Sequence, residues 1–144
     1  MNYRFTRLLR TALFGVALLS SHAFAQTFRM PCEVEGVIPA LEDRRIKPEK
    51  VVIEIQSLQK NIFLKMNGPA PYMVQVNSLA TDDFLGRNLT TPKEMGAFRK
   101  NKLTGAESEI RIDQATIVVS AYSDIDYLGK KVRIFISGPC AAPR

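Results

Sequence analysis

The sequence predicts an all-β protein: a single antiparallel β-sandwich or small β-barrel of about seven strands, with its N-terminal and C-terminal strands joined by a disulfide. Three observations support this prediction. Apolar residues between positions 32 and 138 recur with a period of two far more often than with a helical period. Clusters of Pro, Gly, Asn and Asp separate these runs. The only two cysteines, Cys32 and Cys140, lie at the two margins of the patterned region.

The first 25 residues have the composition of a signal peptide. Three arginines and no acid precede an apolar run from Thr11 to Leu19, and Ala23, Phe24 and Ala25 follow it. Small residues on both sides of a bulky one are what signal peptidase recognises. The apolar run is too short for a transmembrane helix, which needs roughly 20 residues. We therefore predict cleavage after Ala25, a mature chain of one β domain over residues 26–144, and a periplasmic or secreted location.

Cleavage would change the charge of the protein. Three of the 20 basic residues and the only histidine, His22, precede Gln26, so the formal charge falls from +6 to +3. Basic and acidic side chains are mixed in residues 42–50 and 98–109. A nucleic-acid-binding protein would instead cluster its basic residues on one face. We expect these segments to be solvated loops, and we expect no nucleic-acid partner.

The two cysteines predict a structural disulfide. Thiols pair and persist in an oxidising compartment outside the cytoplasm. A redox-active pair would favour Cys-x-x-Cys spacing, and a metal site would need further ligands such as histidine, which the mature chain lacks. A bond between Cys32 and Cys140 would fasten the first strand to the last.

Seven runs predict strands, and Pro, Gly, Asn and Asp clusters predict the turns between them. In chain order the runs are residues 32–38, 51–57, 61–68, 71–78, 108–114, 115–123 and 131–138. Two pairs of runs predict hairpins: residues 60–66 with 72–78, and residues 108–113 with 116–123.

Residues 91–102 are the only stretch with helical signals. Thr91 is a possible N-cap, Pro92 suits the first helical position, and Glu94 completes a capping box. Gly96 lies in the middle, where it costs about 1 kcal/mol relative to alanine in a helix. The sequence leaves a short helix and a turn or loop equally open.

The sequence offers little for catalysis. Without histidine in the mature chain there is no Ser-His-Asp or Cys-His arrangement, and paired cysteines supply no thiol nucleophile. Two pairs of carboxylates could serve a glycoside hydrolase, namely Asp124 with Asp126 and Glu33 with Glu35. A tight connection between strands explains the aspartates more simply, and the solvent face of the first strand explains the glutamates. We predict no catalytic residues, no metal and no cofactor.

Large apolar and basic side chains on the outward positions predict a binding surface, unless the sheet curls or a loop covers them. The candidate residues are Phe63, Met73, Phe98, Arg99, Lys100, Lys102, Tyr122 and Phe135. The function expected from this surface is a small exported, non-catalytic domain that binds or inhibits an envelope protein, or that binds an anionic envelope component. Two alternatives stay open: a structural component of an envelope or surface assembly, and a carboxylate-based hydrolase.

Overall fold

A computed structural model describes residues 26–144; the predicted signal peptide lies outside the described residues. Within this range the chain forms nine strands and one short 3-10 helix after the first strand. The strands are β1 (Gln26–Ile38), β2 (Arg44–Leu58), β3 (Asn61–Asn67), β4 (Val74–Asn77), β5 (Phe84–Asn88), β6 (Glu94–Asn101), β7 (Glu107–Asp113), β8 (Val118–Tyr127) and β9 (Lys130–Pro139). They make one antiparallel sheet in the order β4-β3-β2-β1-β9-β8-β7-β6-β5, curled into a nearly closed barrel. The all-β prediction is confirmed, with nine strands in place of about seven.

The core lies inside this curled sheet, and alternation along each strand builds it. In β2 the side chains of Val51, Ile53 and Ile55 are buried, whereas Val52 between them is exposed. The same alternation continues on β3 and β9, as predicted from their sequences. Because successive side chains of a strand point to opposite faces, a curled sheet needs only one apolar residue in two.

The first and last strands meet in the middle of the sheet. β1 pairs with β2 on one side and with β9 on the other. Beyond the end of β9, Cys140 forms a disulfide with Cys32 of β1, as predicted. The chain then continues along β1, where the N–H of Ala141 donates to the carbonyl of Pro31 at 2.8 Å. The disulfide therefore links two strands that are already paired with each other in the sheet.

The two edges of the sheet, β4 and β5, approach each other without a continuous ladder. Gly86 of β5 makes this approach possible, because a Cβ at that position would lie 2.6 Å from the carbonyl oxygen of Asn77. The side-chain amide of Asn88 donates to the carbonyl of Lys60 at 2.9 Å. These contacts partly cover the edges, which would otherwise present unpaired backbone groups.

Three local expectations were wrong. Residues 42–50 and 98–109 are not loops throughout, because 44–50 belong to β2, 98–101 to β6 and 107–109 to β7. Residues 91–102 form neither a helix nor a loop, because Glu94–Asn101 is strand β6. Thr91 does cap a turn: its hydroxyl accepts the N–H of Glu94 at 3.1 Å just before that strand. Asp124 and Asp126 do not lie in a connection between strands but within β8. The connection comes after them, at residues 128–129.

Candidate binding face

The outward side chains of β6 to β9 form one continuous face, which we call the outer face. On these strands Ala97, Ile110, Ala121 and Ile134 point into the core, so their sequence neighbours point outward. The side chains of the outer face are Phe98 and Lys100 on β6, Glu107, Glu109 and Arg111 on β7, Tyr122 and Asp124 on β8, and Arg133 and Phe135 on β9.

A two-residue turn sets the register of β8 and β9. Leu128 and Gly129 both have positive φ, at 51° and 77°, which is the pattern of a type I′ hairpin turn. This turn places Asp124 opposite Arg133, and Tyr122 opposite Phe135. The hairpin thus brings a carboxylate to a guanidinium and one aromatic ring to another.

Arg133 is the centre of the outer face. Its Nε donates to Asp124 Oδ1 at 2.7 Å, and its Nη2 donates to Asp124 Oδ2 at 3.0 Å and to Glu107 Oε2 at 3.1 Å. The guanidinium also lies over the ring of Tyr122, 4.5 Å from its centroid. Lys100 approaches the other oxygen of Glu107 at 3.2 Å. A bidentate guanidinium held this way has little freedom to move.

A second cluster adjoins the first. Arg111 donates to a carboxylate oxygen of Glu109 and, at 3.1 Å, to one of Glu94. The hydroxyl of Tyr122 lies 3.4 Å from the second oxygen of Glu109, to which it donates. Tyr122 therefore joins the two clusters, with its ring against Arg133 and its hydroxyl against Glu109.

The clusters shift the pKa values of their members. The guanidinium of Arg133, together with the N–H of Glu107, holds the pKa of Asp124 below its usual range despite partial burial. Burial, followed by the nearby charges of Glu109 and Glu107, raises the pKa of Tyr122. Asp124 therefore stays ionised and Tyr122 stays neutral at neutral pH. A carboxyl group with a lowered pKa is a poor general acid at that pH.

Phe135 stands out from this polar surface. It lies on β9, near the middle of the sheet, and it is 47 % exposed. Its ring centroid is 6.0 Å from that of Tyr122, in a tilted arrangement. Phe98 lies on β6, three strands from β9; it is half-buried and carries the guanidinium of Arg87 at 5.5 Å from its centroid.

The structure brings together only part of the predicted surface. Phe98, Lys100, Tyr122 and Phe135 share the outer face. The remaining four predicted residues lie elsewhere: Phe63 on β3, Met73 before β4, Lys102 in the turn after β6, and Arg99 on the inward side of β6. Arg99 packs its guanidinium on the ring of Phe84, 3.5 Å from the centroid, at the end of the barrel.

Apart from Lys100, sequence reasoning missed the charged residues of the outer face, above all Arg133. A signal was present: Asp124 and Arg133 are equidistant from Leu128 and Gly129, so a two-residue turn there pairs them. The outward alternation of Glu107, Glu109 and Arg111 in β7 was equally visible.

Comparisons with known proteins give no relative. No family model, no curated protein and no solved structure matches the chain. Between Gln26 and Arg144 no cluster of three or more Asp, Glu, His or Cys side chains is suited to hold a metal ion. No helix in that same part of the chain is both long and apolar enough to cross a bilayer.

Proposed function

We propose that this protein is a small exported domain that binds a partner protein of the cell envelope through its outer face, without catalysis. The observation that carries the proposal is the exposure of Phe135 beside Tyr122 and Arg133. Aromatic residues and arginine are enriched in the energetic centres of protein interfaces. A half-exposed phenylalanine near the middle of a sheet contributes little to its own fold.

The charged clusters support a role in binding because they hold Tyr122 and Arg133, the neighbours of Phe135, in fixed positions. Arg133 keeps its place through two carboxylates, and Tyr122 is held by Arg133 and Glu109. A partner that docks here would not have to order these side chains, and ordering costs about 0.5 to 1.5 kcal/mol for each long side chain. The outer face is therefore preorganised for a partner with an apolar pocket and polar groups around it.

Export is a separate part of the proposal. It rests on the N-terminal sequence and agrees with the disulfide between Cys32 and Cys140. N-terminal sequencing of the protein recovered from a periplasmic or culture fraction tests it directly. We expect Gln26 as the first residue; full-length protein retained in the cytoplasm would contradict export.

A photocrosslinking experiment tests the binding face. A photoreactive phenylalanine analogue is placed at position 135, and as a matched control at Lys65, an exposed position on the outward side of β3. We expect the first variant alone to crosslink a discrete envelope protein in cells. That protein should then bind the wild type but not Phe135→Ser, with Val52→Ser as the control for losing an exposed apolar residue. Equal crosslinking from both positions, or full binding by Phe135→Ser, would contradict the proposal.

A further inference from the structure

Three loops at one end of the barrel each display an apolar side chain to solvent. Met73, Leu103 and Leu128 are 63 %, 93 % and 74 % exposed. They follow β3, β6 and β8, which run in the same direction in the antiparallel sheet, so the turns after them lie at the same end. We call these three side chains the rim tips.

Two clefts connect the loops that carry the rim tips. One, of about 440 Å³, lies between residues 104–106, next to Leu103, and the facing ends of β8 and β9. The other, of about 310 Å³, lies between Met73 and Tyr127, next to Leu128. Both clefts are lined by Ile125 and Asp126, so they adjoin. Met73 lines one of these adjoining clefts, and Leu103 and Leu128 each follow or precede a residue that lines one of them.

Neither backbone preference nor burial explains why a leucine occupies position 128. It occupies the first central position of the type I′ turn with φ of 51°. That position favours Asn, Asp or Gly, because a Cβ crowds the backbone at positive φ. Since 74 % of Leu128 is exposed, packing does not compensate for this conformation. A leucine that suits neither the turn nor the core suggests a role outside the fold.

Hydrogen bonds within its turn hold Leu103 outward. The side-chain oxygen of Asn101 accepts the N–H groups of Leu103 and Thr104 at 2.9 and 3.0 Å. Lys102 donates to the carbonyl of Thr81 at 2.8 Å, which ties the turn to the neighbouring loop. The N–H of Gly105, at φ of 75°, closes the turn on the carbonyl of Asn101 at 2.8 Å. The turn is thus preorganised, and its apex is an exposed leucine.

Met73 is held outward in a comparable way. Its neighbour Tyr72 is buried, with 1 % of its surface exposed, and its hydroxyl donates to the carbonyl of Lys47 at 2.7 Å. Tyr72 thereby anchors the loop from inside the barrel, and Met73 points to solvent. Each of the three rim tips is fixed by its own loop.

Basic side chains accompany the rim tips. Lys130 and Lys131 directly follow the turn of Leu128, and both are exposed. Within residues 26–144 no carboxylate lies within 4.0 Å of either ammonium group, although Asp126 is opposite Lys131 in the register. The same end also carries exposed acids, Glu42 and Asp43 after β1 and Asp82 and Asp83 before β5, but Lys130 and Lys131 lie next to the turn of Leu128. An exposed leucine beside two exposed lysines suits the boundary between anionic headgroups and acyl chains.

We propose that the rim tips dock this protein peripherally on an anionic lipid bilayer, with the leucines at the acyl-chain boundary and the lysines at the phosphates. Shape favours a bilayer over a protein as the occupant. A protein interface is centred on a packed patch surrounded by residues that exclude water, whereas Leu103 contacts almost nothing of its own chain. Lipid is deformable and can surround each tip separately. This docking site adjoins the outer face, because Asp124 and Arg133 line the larger cleft, but the rim tips themselves lie on loops outside that face.

Sedimentation with vesicles tests the proposal. The purified protein is mixed at low salt with vesicles of equal parts phosphatidylglycerol and phosphatidylethanolamine, or with phosphatidylcholine alone. We expect binding to the anionic vesicles, weakened roughly tenfold by Leu103→Ser and by Leu128→Asn. Leu58→Ser is the matched control, because Leu58 is also exposed but lies at the opposite end of the barrel; it should leave binding unchanged. Leu128→Asn suits its turn better, so its Tm should not fall, and its loss of binding cannot come from unfolding.

Fluorescence locates the contact. The chain has no tryptophan, so Leu103→Trp and Leu58→Trp each introduce a single reporter. We expect a blue shift with anionic vesicles for Leu103→Trp only. Three results would overturn the proposal: no sedimentation of the wild type with anionic vesicles, equal shifts from both reporters, or rim-tip variants that lose binding to a protein while vesicles leave the wild type in solution. Phe135→Ser should bind vesicles normally, which separates this proposal from the one for the outer face.

Discussion

Gly138 is the position where one added methyl group should do the most damage. A Cβ there would lie 1.9 Å from the carbonyl oxygen of Glu33 and 2.8 Å from the Cα of Val34. Both atoms belong to the backbone of β1, so no side chain can rotate away. Gly138 is not among the glycines with positive φ, and the cause of the expected damage is therefore close approach, not backbone conformation.

The expected loss of stability follows from the distance by which β1 and β9 would have to separate. A carbon and a carbonyl oxygen normally stay about 3.3 Å apart or more, so the strands must move about 1.4 Å from the 1.9 Å geometry. Such a displacement breaks the nearest hydrogen bonds, at about 1 kcal/mol each, in addition to about 1 to 3 kcal/mol for overpacking. The lower entropy of an unfolded alanine offsets at most about 1 kcal/mol. We expect Gly138→Ala to lose about 3 kcal/mol.

Thermal unfolding followed by circular dichroism is the assay. For a domain of this size, about 1 kcal/mol corresponds to about 4 °C, so the Tm should fall by about 12 °C. Gly105→Ala is the matched control: its Cβ would meet nothing within 4 Å, and only its φ of 75° is unfavourable, at about 1 to 2 kcal/mol. If Gly138→Ala unfolds no earlier than Gly105→Ala, the close approach of β1 and β9 is wrong.

Three further predictions concern stability. Reducing the disulfide, which closes a loop of 108 residues, should cost about 4 to 5 kcal/mol by the chain-entropy estimate, measured by urea unfolding with and without reductant. Tyr72→Phe should cost about 1 kcal/mol in the same assay, because the carbonyl of Lys47 loses its donor. Asp124→Asn should destabilise the protein at pH 7, and the difference from wild type should disappear as pH falls through the lowered pKa of Asp124. The sign follows because a depressed pKa stabilises the fold only while the carboxylate is ionised. A difference that does not shrink as the pH is lowered through the acid range would exclude the ion pair with Arg133 as the cause.

The alternation of apolar residues was enough to predict β2, β3, β7, β8 and β9, because most of their inward residues are aliphatic; Ser123 of β8 is an exception. It failed on β5 and β6 for a physical reason. Their inward positions near the seam hold Gly86 and Ala97, and Arg99 follows at the barrel end. Small residues are needed where the two edges of the sheet approach, and small residues produce no apolar alternation.

The outer face was predicted only in part, because its composition depends on register. Single-strand parity identified Tyr122 and Phe135 as outward but could not say what lies beside them. The neighbours came from pairing, which the turn at Leu128 and Gly129 sets. The distribution of exposure depends on how the sheet curls: Phe135 is 47 % exposed, whereas Phe63, also outward, is half-buried. A pattern within one strand carries no information about that closure.

The hairpin of β8 and β9 shows how fold and function can be separated residue by residue. Its inward side chains, such as Ile134, are explained by the core, and its outward charges by the ion pair of Asp124 with Arg133. Gly129 is explained by its positive φ. Leu128 has none of these explanations, since an asparagine would suit the turn better and water would solvate it better. A residue that suits neither its backbone conformation nor the core destabilises the fold. Such residues are expected where a function outside folding requires them. In this hairpin the residue identified in this way is Leu128, one of the three rim tips.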